Sequence, residues 1–232
     1  MKYDKNLIFE DHGSFHGIEK NLYTTLPKLP FQKTYMDIND LKKINRRFMG
    51  GGMSQSYAAI YWFEYYFEAH RFNYVIELGS QKGAVSTYFA NLAGITEAVF
   101  FDTFELYPDE NWFHRPYEGC GHWYSKLSEI SPFINYYHDD IFSDKTFQHI
   151  KENMEELGRT FIFCDGGNKI KEFQTYAPLL KKNDRIAVHD WNLEINYNSI
   201  KDTCEKYNLV PDEPFVQSAL GLETTIFPFR KA

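Results

Sequence analysis

Two acid-bearing stretches of this chain have the residue types of an oxygen-donor site. Cys164-Asp165-Gly166-Gly167-Asn168 and His189-Asp190-Trp191-Asn192 each place an aspartate just behind a short apolar run. If those runs are neighbouring parallel strands, both carboxylates arrive at one sheet edge. Their repulsion there must be offset by a cation or by hydrogen bonds. Oxygen ligands of this kind suit Mg2+ or Mn2+. Asp165 and Asp190 form the candidate metal pair, with His189 or Asn192 as third ligand. The competing reading is two helix N-caps beside a buried histidine.

A third stretch, Tyr74-Val75-Ile76-Glu77-Leu78-Gly79-Ser80-Gln81-Lys82-Gly83, has the makings of a ligand-binding turn. An apolar run ends in an acid, passes two glycines and opens into the helical pattern Ala84–Leu92. Gly79 and Gly83 permit a tight strand-to-helix turn and close backbone approach to a ligand, with Ser80 inside the turn. The spacing Glu-x-Gly-x-x-x-Gly differs from the Gly-x-Gly-x-x-Gly that grips a pyrophosphate at a helix N-terminus. Asp102 ends the next apolar run, 25 residues beyond Glu77. That is near the interval at which such sheets place a ribose-binding carboxylate. A turn acid is the alternative.

Positioning these groups requires a sheet, and the chain supplies one. Strand patterns fall at Tyr74–Leu78, Ala98–Phe101, Ile134–His138, Thr160–Cys164 and Arg185–His189, with two more near Val210–Val216 and Glu223–Pro228. Helical patterns intervene at Ala84–Leu92, Lys145–Leu157, Lys171–Leu180 and Ile195–Lys206, and one precedes at Ser54–His70. The expected fold class is α/β, a doubly wound, seven-stranded and mostly parallel sheet with helices on both faces and a closing antiparallel pair. Residues 1–45 read as an N-terminal extension containing most of a short polar helix, Asp37–Phe48, which Gly50-Gly51-Gly52 breaks. Residues 46–232 form the domain. Leu106–Pro132 is a loop insertion bearing His114 and His122 among aromatics, leaving from the carboxyl edge where ligands bind.

Composition narrows the function classes. The length of 232 residues suits one α/β domain. A net charge of −7 argues against a broad nucleic-acid surface, despite the basic cluster Lys42–Arg47. Cys120, Cys164 and Cys204 form no Cys-x-x-Cys pair, which favours a reducing compartment and disfavours structural zinc. The start Met-Lys-Tyr-Asp-Lys lacks a signal-peptide apolar region, and no run approaches the ~18 apolar residues of a membrane span. A cytoplasmic enzyme without membrane contact is the expectation. Aromatics make up 18% of the chain and cluster in Tyr57–Phe72 and Tyr107–Tyr137, where they line a pocket or fill a core.

Taken in order, several motifs resemble a known family. They are Phe48-Met49-Gly50-Gly51-Gly52-Met53-Ser54-Gln55-Ser56, the glycine turn, Phe101-Asp102-Thr103-Phe104-Glu105-Leu106-Tyr107-Pro108, Asp165-Gly166-Gly167-Asn168 and Val188-His189-Asp190-Trp191. Over roughly residues 45–230 the chain resembles the cephalosporin-hydroxylase-type and macrocin-type metal-dependent O-methyltransferases, within the class I S-adenosylmethionine (SAM)-dependent methyltransferases. The resemblance implies a Rossmann-like methyltransferase fold, with SAM held by Glu77, Gly79, Ser80, Gly83 and Asp102. It implies an acid beside the adenine, Asp139 or Asp140, and Mg2+ or Mn2+ on Asp165, His189 and Asp190 orienting an acceptor hydroxyl. The acceptor would be a small molecule or carbohydrate, and a homo-oligomer is compatible with all of this. The family often carries histidine where this chain has Asn168, which cannot take a proton at neutral pH. Candidate bases are then His189, Lys169, His114 and His122, or metal polarisation alone suffices. Two rival readings stand beside this one. One is a methyltransferase-like binding module without catalysis, supported by Asn168. The other is a nucleotide-dependent oxidoreductase, disfavoured by the glycine spacing.

Overall fold

The computed structural model describes residues 55, 57–80, 84–90, 92, 95–101, 134–137, 139–221 and 224–232. The extension 1–45, the helix expected at Asp37–Phe48 and the insertion Leu106–Pro132 lie outside them. In chain order the elements are α1 (Tyr57–His70), β1 (Tyr74–Leu78), α2 (Ala84–Ala90), β2 (Glu97–Phe101), β3 (Ile134–Tyr137), α3 (Asp144–Glu156), β4 (Thr160–Cys164), α4 (Lys169–Tyr176), β5 (Arg185–Val188), α5 (Tyr197–Tyr207), β6 (Leu209–Pro211), α6 (Phe215–Gly221) and β7 (Phe227–Lys231). A single 3-10 turn, Ala177–Leu179, follows α4.

The seven strands form one sheet in the order β3-β2-β1-β4-β5-β7-β6. The first five are parallel, and β7 runs antiparallel between β5 and β6. This is the doubly wound α/β architecture. Register matters most for function. Leu78 lies opposite both Phe101 and Cys164, and Cys164 lies opposite Val188. The strands therefore end in phase, and the residue after each emerges at the same edge.

Alternation along the strands divides the core into two layers. One face presents Ile76, Leu78, Ile162, Cys164, Ile186 and Val188 to Ile150 and Met154 of α3, Phe173 and Tyr176 of α4 and Ile200 of α5. The other presents Phe161 and Phe163 to α1, with ring centroids 5.3 Å apart for Phe63–Phe163 and 5.1 Å for Phe67–Phe161. Each such edge-to-face pair contributes about 0.5–1.5 kcal/mol beyond the area it buries. Trp62, Phe63, Tyr66, Phe67 and Phe72 are fully buried, so the first aromatic cluster fills a core rather than lining a pocket. Among the described residues no helix is long and apolar enough to cross a membrane.

Two sequence expectations need correction near the end of the chain. The strand expected over Val210–Val216 stops at Pro211, and Phe215 begins helix α6 instead. Asp212 turns inward there, and Pro214 has no N–H to give a sheet ladder. The last strand starts at Phe227, after Thr225 adopts a left-handed φ of 56°.

Asp212, 2% exposed, ties four elements at the amino-terminal edge of the sheet. Its Oδ2 accepts from the Tyr66 hydroxyl and from Arg185 Nε, both at 2.8 Å, and lies 3.1 Å from His70 Nε2. Arg230 Nε stands 3.6 Å from Oδ1. Burial alone would raise the Asp212 carboxyl, but His70, Arg185 and Tyr66 outweigh it and hold it below the usual range. A depressed folded-state value stabilises the fold above the unfolded value of about 3.9, and the contribution is lost as pH falls through the folded value. Asp212→Asn should cost about 3–5 kcal/mol at pH 7, because it strands a buried guanidinium. Urea denaturation of both proteins should show that gap narrowing below about pH 4.

Candidate functional site

The carboxyl edge is assembled from the turns that follow β1, β4 and β5. Gly79 donates its N–H to the Phe101 carbonyl and has a φ of 84°. A Cβ at Gly79 would lie 2.2 Å from Gly166 Cα, so the turns after β1 and β4 touch backbone to backbone. A Cβ at Gly166 would in turn meet Glu172 Oε1 at 2.3 Å. Glu172, fully buried on α4, accepts from the N–H groups of Gly166 and Asn168, both at 3.2 Å. Its burial pushes the carboxyl up to about 7, against the pull of those two N–H groups and of Lys169. Asn168 caps α4, its Oδ1 accepting from Lys171 N at 3.1 Å. The position where the family often has histidine thus carries a helix cap.

Because β4 and β5 end in phase, Asp165 and His189 leave the sheet side by side. Asp165 N donates to Leu78 O at 2.9 Å and His189 N to Cys164 O at 3.1 Å. Asp165, His189 and Asp190 each offer a ligand atom within 4.8 Å of the others. His189 Nδ1 lies 2.7 Å from Asp165 Oδ1 and 3.6 Å from Asp190 Oδ2. Burial would lower the imidazole's proton affinity, but Asp165 and then Asp190 raise it, and the net direction is up. Asp190 sits at a φ of 56°, a strained setting for a non-glycine residue. The turn is held by Trp191 N on Thr225 O and by the N–H groups of Leu193 and Glu194 on Asp190 O.

Lys169 supplies the countercharge. It is 6% exposed, and its Nζ reaches Glu194 Oε2 at 2.8 Å, Gly166 O at 3.0 Å and Asp190 Oδ2 at 3.1 Å. Burial works against its charge, yet Glu194, Asp165 and Asp190 overcome that and raise its pKa well above the usual lysine value. Lys169 is therefore a fixed ammonium, which corrects its candidacy as a base.

Gln55 is the residue that sequence reasoning passed over. Its Nε2 donates to Asp165 Oδ2 at 2.8 Å and stands 3.5 Å from His189 Nδ1. The resemblance included Gln55 in a motif, but nothing local to it signals a contact 110 residues away.

The remaining expected residues fall as follows. Glu77 is buried and accepts from the Ser86 hydroxyl of α2. Ser80 Oγ is buried without a partner among the described residues. Asp139 pairs with Lys145 Nζ at 3.1 Å, and exposed Asp140 closes a turn by accepting from Phe142 N at 2.8 Å. Neither caps α3, a role that belongs to Ser143. Asn192 sits in an exposed left-handed turn with a φ of 65°. Gly83, Asp102, His114 and His122 lie outside the described residues.

No family model matches this sequence, and no curated protein matches it. Solved structures do match the fold. CmcI in its apo form superposes with a TM-score of 0.54 at 13% identity, covering 94% of this chain and 86% of that one. CmcI with SAH gives 0.51 at 11% identity, covering 93% of each. CmcI with Mg-SAM gives 0.50 at 13% identity, covering 94% and 86%. The likeness is one of fold. It is a doubly wound, Rossmann-like α/β fold, as expected.

The Gly79–Gly166 contact can be tested against an internal control. Gly158 has nearly the same φ, 85°, but a Cβ there would meet only the Asn73 side chain, at 3.1 Å. Gly158→Ala should cost about 1–2 kcal/mol from backbone conformation alone. Gly79→Ala should cost that plus about 1–3 kcal/mol of steric displacement. Chemical denaturation of the two variants measures the difference, and equal losses would contradict the close packing of the two turns.

Proposed function

We propose that this chain is a SAM-dependent O-methyltransferase, assisted by a divalent metal, that acts on a hydroxyl of a small molecule or sugar. The observation that carries the reading is the convergence of Asp165, His189 and Asp190 at the edge where the Gly79 turn also lies. The shared fold of CmcI, seen with SAH and with Mg-SAM, supports it.

The residues present fit both groups. On the cofactor side, the buried Ser80 Oγ lacks a partner among the described residues, beside a turn that only glycine can make so tightly. Glu77, Gly79 and Ser80 would hold SAM, together with Gly83, Asp102 and one of Asp139 and Asp140. On the metal side, two carboxylates and an imidazole are the donor types that Mn2+ and Mg2+ accept, the imidazole favouring Mn2+. Asp165, Asp190 and Glu194 outnumber the one firm cation among them, Lys169, which suits a further cation.

When bound, SAM supplies an electrophilic methyl group and the metal a Lewis acid. The chain supplies position. Asp165 is fixed by Gln55 and by its backbone bond to β1, and Asp190 by Lys169 and its strained turn. The two turns pack against one another, so a cofactor on the first turn and an ion on the second would be held in a fixed relation, the condition for transfer by positioning. Lys169 cannot take the acceptor's proton, and His189 is engaged by Asp165. His114 and His122 are the candidates for a discrete base.

Mn2+ at 100 times its dissociation constant should stabilise the wild type by about 2.7 kcal/mol, raising Tm by roughly 5–10 °C. Asp165→Asn should abolish that shift while leaving S-adenosylhomocysteine binding by calorimetry within a few fold. A wild-type midpoint that ignores both Mg2+ and Mn2+, with methyl transfer surviving chelation, would overturn the metal part of the reading. Absence of S-adenosylhomocysteine binding would overturn the cofactor part.

A further inference from the structure

The carboxamide of Gln55 is half satisfied. The residue is 3% exposed, its Nε2 is bonded to Asp165 Oδ2 at 2.8 Å, and its Oε1 is buried with no hydrogen-bond partner among the described residues. The amide orientation follows from chemistry, since turning the oxygen toward Asp165 would set two acceptors against each other. Oε1 is thus the atom left over, beside a cluster whose other polar groups are already engaged. Lys169 has three acceptors, Asp165 has Gln55 and His189, and Glu172 has two N–H groups. Buried carbonyl oxygens without a partner are uncommon in folded proteins and call for an explanation.

We propose that Gln55 is a positioning residue of the cation site, with Nε2 holding Asp165 in place and Oε1 serving as an uncharged oxygen donor toward the divalent ion. The inference rests on the reading of Asp165, His189 and Asp190 as that site. Three donor residues leave a six-coordinate ion short of ligands, and an amide carbonyl is of the oxygen type that Mg2+ and Mn2+ take. Gln55 comes from the segment just before α1, whereas the three cluster residues follow β4 and β5. Cation binding would therefore tie that N-terminal segment to the sheet edge. A glutamine that merely filled space would have no need of a buried, unpaired oxygen.

The test is a calorimetric Mn2+ titration of the full chain as wild type, Gln55→Met and Gln55→Glu, with melting curves of each without metal and with Mn2+. Gln55→Met keeps the volume but removes both polar atoms, and should weaken Mn2+ binding about tenfold while sparing S-adenosylhomocysteine affinity. Gln55→Glu places a third carboxylate in the cluster. It should lower the metal-free midpoint and tighten Mn2+ binding several fold, two shifts of opposite sign. If Gln55→Met fails to fold, the opposed shifts of Gln55→Glu decide alone. A Gln55→Glu protein that loses the same stability with and without Mn2+, at unchanged affinity, overturns the proposal and leaves a structural glutamine. Unchanged Mn2+ binding in both variants overturns it while the cation site stands. A wild type that binds no Mn2+ removes the cation site and the proposal together.

Discussion

Two aspartates that end adjacent parallel strands repel each other, and the carboxyl edge of this protein is built around that repulsion. Register sets it up, because Cys164 pairs with Val188, so that Asp165 and His189 emerge together with Asp190 one residue further on. Ligand atoms within 4.8 Å imply roughly 3–4 kcal/mol of unfavourable interaction at an effective dielectric of 20. The protein offsets it on both sides. Lys169 bonds Asp190, His189 bonds Asp165, and Gln55 adds a neutral donor. Asp190 reaches its place only through a left-handed backbone, a further cost that a turn of no chemical use would have little reason to carry.

The same edge couples the two halves of the candidate site mechanically. Gly79 and Gly166 pack with no room for a side chain, so the turn that would hold a cofactor bears directly on the turn that carries Asp165. Glu172 locks the second turn by accepting from Gly166 and Asn168, and it does so from a fully buried position. Burial pushes the Glu172 carboxyl up to about 7, while the N–H groups of Gly166 and Asn168 and the Lys169 ammonium favour its ionised form. The reading of Asp165 and Asp190 as helix N-caps does not hold, since Asn168 caps α4 and Asn196 caps α5.

What the sequence revealed followed from patterns local to each segment. The apolar runs Tyr74–Leu78 and Thr160–Cys164 coincide with β1 and β4, and the in-phase ending of parallel strands made the meeting of Asp165 with Asp190 legible in advance. What it hid is long-range. Lys169 looked like a base because it follows Asn168, but its three acceptors include Glu194 and Asp190 from the turn after β5. Gln55 lies in a motif of the resemblance, but nothing local to it signals a partner 110 residues away. The strand expected near Val210–Val216 was overridden by one buried carboxylate, Asp212, whose contacts to α1 and β5 outweigh the strand propensity around it.

Strand β5 spans two networks of buried charge with opposite character. At its start, Arg185 joins Asp212, Tyr66 and His70 in a network where one carboxylate is shared among several donors. Beyond its end, His189 and Asp190 join a network where carboxylates outnumber firm cations. The first arrangement lowers the Asp212 pKa and stabilises the fold; the second concentrates negative charge and backbone strain. Excess charge at a packed edge is tolerable because the aromatic layers and the Asp212 network hold the strand from the other end. A fold supported that way can keep an electrostatically unfavourable edge, and in the proposed cation site relief of that repulsion would favour binding.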